Sequence, residues 1–407
     1  NEHMNTLICV AEKFIVGGVE TYYMRMFSWA HCRGYRTILL LPQNAFIADE
    51  WKAKIEKEMV EVWFYSSSLF SVKVSDSQMN RVSFDPEDLS QKTVVCDNLH
   101  TYTAACYIAQ KYEWNNARLL LYILHPEMSR CSETKLFNLG YRHLLVKKIM
   151  GNGLLFMDEQ TLCSFENYYG YKVNAETAIL RLGQDIPGTF EFRERDRDSF
   201  HILSVSRMDF PFKGYVLGLI DSCRELKERY PGLKLTLIGD GPGYDRVLSK
   251  VKELELEQDI NLLKTVPYEE LEQYITGSDL CVGMGTSLLD AGKRGKIGII
   301  ATANQYMPFS CGFLFDNPDQ VAVFAGEKGW NRYRFAELVA KVMDCGDDVF
   351  RDWCRKSYEV VKEKYDICNI MEKLVEIETH KLPRGTVCRI KVYDWIILKL
   401  KRLAGVG

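Results

Sequence analysis

In S-V-S-R-M-D-F-P-F-K-G-Y, residues 204–215, an apolar run ends at Arg207, and Lys213 follows just before a helix-like segment. Arginine presents a planar fork to phosphate oxygens and lysine a compact, mobile charge, so the pair suits a polyanionic ligand. Taken alone it reads equally well as two surface cations. The next candidate is L-T-L-I-G-D-G-P-G, residues 235–243, where Gly239, Gly241 and Gly243 allow a tight turn or a close backbone approach. It does not match the G-x-G-x-x-G dinucleotide fingerprint.

A third element is C-V-G-M-G-T-S-L-L-D-A-G-K-R-G, residues 281–295. A strand should end at Gly283, Met284 and Gly285, and Thr286 and Ser287 are suitable N-caps for a following helix. Free amides and the positive end of a helix dipole attract anions. A Walker A loop is excluded, because Lys293 has neither a Ser or Thr after it nor a glycine six residues before it. Asp290, expected in the first turn of that helix, either compensates the dipole, worth about 0.3–1 kcal/mol, or accepts hydrogen bonds from a ribose diol. Cation fork, glycine turn, helix start and acid follow one another on successive strands, and together they point to a nucleoside diphosphate.

These loops need strands to position them. T-L-I-C-V-A, R-T-I-L-L-L-P, V-E-V-W-F-Y-S, K-T-V-V-C-D, R-L-L-L-Y-I-L, G-L-L-F-M-D and E-T-A-I-L read as strands of the first half, with amphipathic helices between several of them. Continuous apolar runs alternating with helices indicate a parallel sheet covered on both faces. The alternation breaks at G-Q-D-I-P-G-T-F-E-F-R-E-R-D-R-D-S-F, then restarts with H-I-L-S-V-S, L-K-L-T-L-I-G, I-N-L-L-K-T-V, D-L-C-V-G-M and I-G-I-I-A-T. The expected class is α/β: two doubly wound, Rossmann-like domains facing a central cleft, with a helical C-terminus. The expected boundaries are an N-terminal domain over 1–183, a solvated linker over 184–199, a nucleotide-binding domain over 200–365 and C-terminal helices over 366–407.

Composition narrows the function class. The chain has 407 residues, 47% hydrophobic and 26% charged, with a net charge of -3. That profile suits a globular protein and argues against nucleic acid as the main partner. No apolar run approaches the roughly 20 residues that cross a bilayer, and no secretory signal opens the chain. Asn1 to His3, ahead of Met4, read as an artificial extension. The 13 cysteines are scattered without a C-x-x-C pair and do not cluster with the seven histidines. Buried, reduced thiols are expected, with neither structural zinc nor a disulfide framework. The expected location is cytoplasmic.

The layout resembles the retaining GT-B glycosyltransferases of family four, of the bacterial surface-polysaccharide type. S-V-S-R-M-D-F-P-F-K-G-Y looks like that family's R-x-x-x-x-K-G element, L-K-L-T-L-I-G-D-G-P like its L-x-I-x-G-x-G-P strand, and V-P-Y-E-E-L through K-R-G like the segment holding its E-x7-E motif. G-G-V-E-T-Y-Y-M-R-M-F looks like its N-terminal glycine loop and helix. The resemblance implies a metal-independent hexosyltransferase that uses a nucleotide sugar and no other cofactor. A UDP-sugar is the expected donor, with a GDP-sugar the alternative, and the acceptor would be a glycan or a lipid-linked glycan. Asp290 matches the second acid of E-x7-E, but Val282 stands where the first belongs. Two other readings therefore stay open: a sugar-nucleotide epimerase of GT-B shape, and an inactive GT-B subunit that binds a partner.

The resemblance makes Arg207 and Lys213 the residues that stabilise the departing diphosphate. Gly241, Gly285, Thr286, Ser287 and Asp290 become donor-binding candidates, and Gly17 and Gly18 are expected to approach the donor phosphates or the acceptor. His125, in L-Y-I-L-H-P-E-M, ends a strand and is the candidate for acceptor or sugar contact; otherwise it is a loop histidine. His100 is its rival. The tail R-I-K-V-Y-D-W-I-I-L-K-L-K-R-L-A-G places Ile390, Val392, Tyr393, Ile396, Ile397, Leu400 and Leu403 on one helical face and basic residues on the other. It reads either as a final helix docked on the first domain or as one lying on a membrane surface.

Overall fold

The computed structural model describes residues 5–403 apart from 16, 69–70, 83–89, 126–127, 129–134 and 197. Asn1 to Met4 lie outside the described residues, as do Pro126 and Glu127 of the His125 motif. The chain forms two compact units, one of residues 1–183 with 367–407 and the other of residues 184–366.

The first unit runs β1 (Thr6–Val10), α1 (Gly18–Cys32), β2 (Arg36–Pro42), α2 (Asp49–Lys57), β3 (Glu61–Ser67), β4 (Val72–Asp76), β5 (Lys92–Cys96), α3 (Leu99–Lys111) and β6 (Ala117–Ile123). There follow α4 (Lys135–Tyr141), a π-helical turn (Arg142–Val146), α5 (Lys147–Ile149), β7 (Leu154–Phe156), α6 (Glu159–Tyr169) and α7 (Ala175–Ala178). Its sheet has the order β4-β3-β2-β1-β5-β6-β7, parallel except for β4 on β3. β1 shows why the strands read as unbroken apolar runs. Ile8 and Val10 enter one core cluster and Leu7 and Cys9 the other, so both faces are covered.

The second unit runs β8 (Phe200–Val205), α8 (Tyr215–Leu226), β9 (Leu233–Ile238), α9 (Tyr244–Glu253), β10 (Ile260–Leu263), α10 (Tyr268–Gly277), β11 (Leu280–Gly283), α11 (Thr286–Gly292) and β12 (Ile297–Ala303). After these come β13 (Phe309–Phe313), β14 (Val323–Phe324), β15 (Tyr333–Arg334), α12 (Phe335–Asp344) and α13 (Asp347–Tyr365). The sheet order is β10-β9-β8-β11-β12-β13-β15, with β10 through β12 parallel and β13 antiparallel to β12. The chain then returns to the first unit: α14 (Ile367–Glu376) buries Ile370, Met371 and Leu374 in the α1-side core, and α15 (Arg384–Leu403) lies against α3 and the π-helical turn.

Three expectations change. E-T-A-I-L is not a strand, because Asn174 caps the short α7 by accepting from the Glu176 amide at 3.1 Å, and only Ile179 bridges Phe156. The segment over 184–199 is extended and exposed along most of its length, as expected of a solvated connector, but it is anchored at points rather than free. Phe190 stacks on Tyr358 at 5.7 Å, and Arg195 donates to the Val342 carbonyl at 2.6 Å and reaches Asp347. Strands β4, β13, β14 and β15 were not expected. β4 is a short edge strand, and β13 holds Ser310 and Gly312, residues of low strand propensity.

Candidate functional site

In each sheet the strand order reverses beside one strand, and the loops leaving the carboxyl ends there diverge, opening a crevice. In the second unit the reversal lies between β8 and β11, paired parallel through Leu280 with Ile202 and Cys281 with Leu203. The loop after β8 carries Arg207 and Lys213, and the loop after β11 carries Gly283 to Ser287. The topology thus brings both sequence-selected segments to the same reversal point of one sheet.

Lys213 lies in the turn just before α8, its amide donating to the Asp209 carbonyl at 2.7 Å. Its ammonium lies 5.1 Å from the Phe212 ring, and among the described residues it makes no ion pair. Burial, with Arg207 as a nearby like charge, brings it down from 10.5 to about 8. The Arg207 side chain is 77% exposed, and its guanidinium touches Asp209 at 3.3 Å. One cation is therefore partly buried without an anion, and the other stands at the surface beside it.

The glycine turn has a purpose within the fold. A Cβ at Gly239 would lie 1.9 Å from the Ser206 carbonyl oxygen, and one at Gly241 would lie 2.8 Å from that of Met208. The two loops are stitched together by Met208 N to Asp240 O at 2.9 Å and Gly243 N to Met208 O at 2.7 Å. The glycines let the β9 turn press against the backbone that carries Arg207, so the contact they permit is with the protein's own chain.

Around α11 two details differ from the sequence expectation. The N-cap is Gly285, with φ 67° and ψ -139°, a conformation for which glycine is suited, rather than Thr286 or Ser287. Its amide donates to the Val321 carbonyl at 2.6 Å, while the Ser287 hydroxyl donates back to Met284 O at 3.1 Å. Among the described residues, the Thr286 and Ser287 amides have no acceptor. Asp290 lies beyond the first turn, so dipole compensation is not its role. Its carboxylate instead pairs at 2.6 Å with Lys293, whose side chain is 4% exposed. Val282, at the position eight residues before it, is 1% exposed inside β11 and packs in the core. An acid could not be solvated there, which explains why the residue is apolar.

In the first unit the order reverses between β1 and β5. Gly17 caps α1 with φ -162°, an extended conformation open to any residue, and a Cβ on it would lie 2.6 Å from a Glu20 carboxylate oxygen. Gly18 begins the helix and is exposed. The buried Glu20 thus places a negative charge beside this helix start, which opposes a phosphate there and suits a hydroxyl-bearing ligand. His125 is exposed just beyond β6. His100 is occupied elsewhere: its Nδ1 lies 3.2 Å from Asp394 of α15, and its ring packs edge-on to Tyr141.

Sequence reasoning missed Asp97. It follows β5, is 7% exposed, and accepts from the Thr101 hydroxyl at 3.0 Å and the Asn98 amide at 3.1 Å. Burial pushes its carboxyl up to about 7, with Glu12 and Glu20 adding to the rise. The available signal was an acid directly after an apolar strand and before an Asn cap, the position where a side chain meets a crevice.

Residues 187–323 match the family described as "Glycosyl transferases group 1". A search of curated protein sequences returns no match. Among solved structures, the chain is similar to HepE of Anabaena in complex with UDP, at 15% identity and TM-score 0.57 over 91% of this chain and 98% of that one. It is similar to a glycosyltransferase of Rickettsia africae at 13% identity and TM-score 0.59, covering 97% and 99%. It is also similar to S. aureus TarM in complex with UDP at 11% identity and TM-score 0.53, covering 92% and 100%. The chain has the fold of the GT-B glycosyltransferases, two doubly wound units with a helical C-terminus, and the segment that matches the group 1 family lies within the second.

Proposed function

We propose that the protein is a retaining glycosyltransferase that moves a hexose from a nucleotide-diphosphate sugar, a UDP-sugar before a GDP-sugar, to a glycan or lipid-linked acceptor. The observation that carries this reading is the unpaired Lys213 ammonium beside Arg207 at the strand reversal of the second unit. A diphosphate there would supply the missing counter-charge. In the reaction the bond from the anomeric carbon to the β-phosphate oxygen breaks, and its electron pair leaves with the nucleoside diphosphate. The acceptor oxygen bonds to the same face of the carbon, and its proton passes to the departing phosphate. Charge develops on the leaving oxygen, so fixed cations lower the barrier without a metal.

Gly285, Thr286 and Ser287 are read as the main-chain side of the same site, with Asp290 as a ribose contact through the carboxylate oxygen not held by Lys293. His125 and the Gly17–Gly18 turn are read as acceptor-side groups of the first unit. A lipid-linked acceptor would be met at a membrane surface, and α15 is the element suited to reach one, in keeping with a cytoplasmic, peripherally attached enzyme.

The test is calorimetry with UDP and GDP, followed by product analysis with UDP- and GDP-sugars and a lipid-linked acceptor. A nucleoside diphosphate and a new α-glycoside from an α-linked donor are expected. An isomeric sugar nucleotide instead would mean epimerisation. Binding without turnover of any donor would support the inactive subunit, which the buried Val282 keeps as the second reading.

A further inference from the structure

Helix α15 resolves the two readings of the tail by satisfying both with different faces. Its inner face is fixed. Val387, Ile390 and Ile397 are buried, and the Tyr393 ring lies where a Cβ on Gly140 would stand. The only acid of the helix, Asp394, also turns inward, toward His100 at 3.2 Å and the Tyr141 hydroxyl. Ile390, Tyr393 and Ile397 therefore do not belong to an outer surface, which corrects the single apolar face drawn from the sequence.

The outer face is a second apolar stripe. Val392, Trp395, Ile396, Leu400 and Leu403 recur at helical spacing, with Trp395 38%, Ile396 41% and Leu403 83% exposed. Docking has spent the inner residues, so this stripe is left largely exposed among the described residues. Its chemistry selects the partner. Lys399 is exposed with its ammonium 4.3 Å over the Trp395 ring, and Arg384 and Arg389 are exposed. With Asp394 turned inward, the exposed side of the helix carries cations and apolar groups and no acid. A second copy of the chain would set like charges against each other, whereas an anionic lipid surface supplies both opposite charge and an apolar layer. No described helix is long and apolar enough to cross a membrane, so the helix would lie along the surface.

We infer that the outer face of α15, centred on Trp395, Ile396 and Leu400, binds the surface of an anionic lipid bilayer while its inner face holds the helix on the first unit. This deepens the reading of α15 as the membrane-reaching element, on which it rests. Nucleotide binding in the second unit is independent of it.

The test is co-sedimentation of the full chain with vesicles of equimolar phosphatidylglycerol and phosphatidylcholine, and with phosphatidylcholine alone. Wild-type protein should bind the anionic vesicles at least about tenfold more strongly and be released by high salt. Ile396→Glu/Leu400→Glu should lose at least about tenfold, and Lys399→Glu should lose severalfold, each with an unchanged circular dichroism melt. Wild-type binding no greater to anionic than to neutral vesicles would overturn the inference, as would undiminished binding by the folded variants. A concentration-dependent dimer broken by Ile396→Glu, with no vesicle binding, would also overturn it in favour of a second copy. UDP calorimetry on the same samples separates the readings: wild-type protein that binds UDP but not the anionic vesicles refutes only the role of α15.

Discussion

Replacing Lys213 with methionine, which keeps the length of the side chain and removes its charge, should make the protein more stable and less able to bind its nucleotide. The ammonium falls from 10.5 to about 8 through burial and the nearby Arg207, which at about 1.4 kcal/mol per pH unit sets an upper figure of roughly 3 kcal/mol against folding at neutral pH. Below pH 8 both folded and unfolded chains hold the proton, and the folded state bears the full cost. Between about 8 and 10.5 the folded chain releases the proton first, and the cost fades. Urea unfolding followed by circular dichroism should therefore show Lys213→Met more stable than wild type at pH 7, with the difference closing toward pH 10.5. Calorimetry should show UDP affinity reduced by at least tenfold in the variant. In wild type the affinity should fall as pH rises above 8, because the free protein then loses the charge that the diphosphate needs. Equal stability at pH 7 would show that the ammonium bears no desolvation cost. Unchanged UDP affinity would remove Lys213 from the site.

Two further outcomes follow from the geometry. Asp290→Ala should destabilise the protein by about 3–5 kcal/mol by leaving Lys293 buried without its partner; the double variant with Lys293→Met should recover most of that loss in urea unfolding, and failure to recover would mean that the pair is not what holds α11. Asp97, raised to about 7, is protonated in the folded chain while still ionised in the unfolded one between pH 4 and 7, so stability should fall as pH rises through that window. Asp97→Asn should flatten the slope, and an unchanged pH profile would show that the carboxyl does not titrate there.

The sheets were legible because their strands are buried on both faces, and an unbroken run such as R-T-I-L-L-L-P leaves little alternative. Arg207 and Lys213 were legible for a related reason: a polar residue placed where such a run stops falls at the carboxyl end of a strand. What the sequence could not reveal depended on contacts between segments far apart in the chain. Gly241 reads as a ligand-approach residue until the Met208 carbonyl is seen beside it. Asp290 reads as a free acid until Lys293 is seen to be buried. The tail helix has apolar residues nearly all round, and only the docking of Ile390, Tyr393 and Ile397 separates an inner from an outer face.

The stability costs of the fold point to the same places as its topology. Several other buried charges have partners: Lys293 has Asp290, Arg195 has Asp347 and the Val342 carbonyl, and Lys296 donates to the Thr276 carbonyl at 2.8 Å, whereas the Lys391 ammonium of α15 is buried without an acceptor among the described residues and lies over the Tyr107 ring. Lys213 and Asp97 differ. Each follows a strand at the reversal of its sheet, each has its titration moved by burial, and each has nearby charges of its own sign that add to the shift. A purely structural site would be relieved by an apolar residue or by a counter-ion one turn away. Keeping the charge uncompensated is useful only if something outside the chain completes it. Under the proposed function, a diphosphate would do this for Lys213. For Asp97, whose carboxyl titrates near neutrality and can donate as well as accept, the matching partner under the same proposal would be a hydroxyl, the group that a sugar acceptor presents.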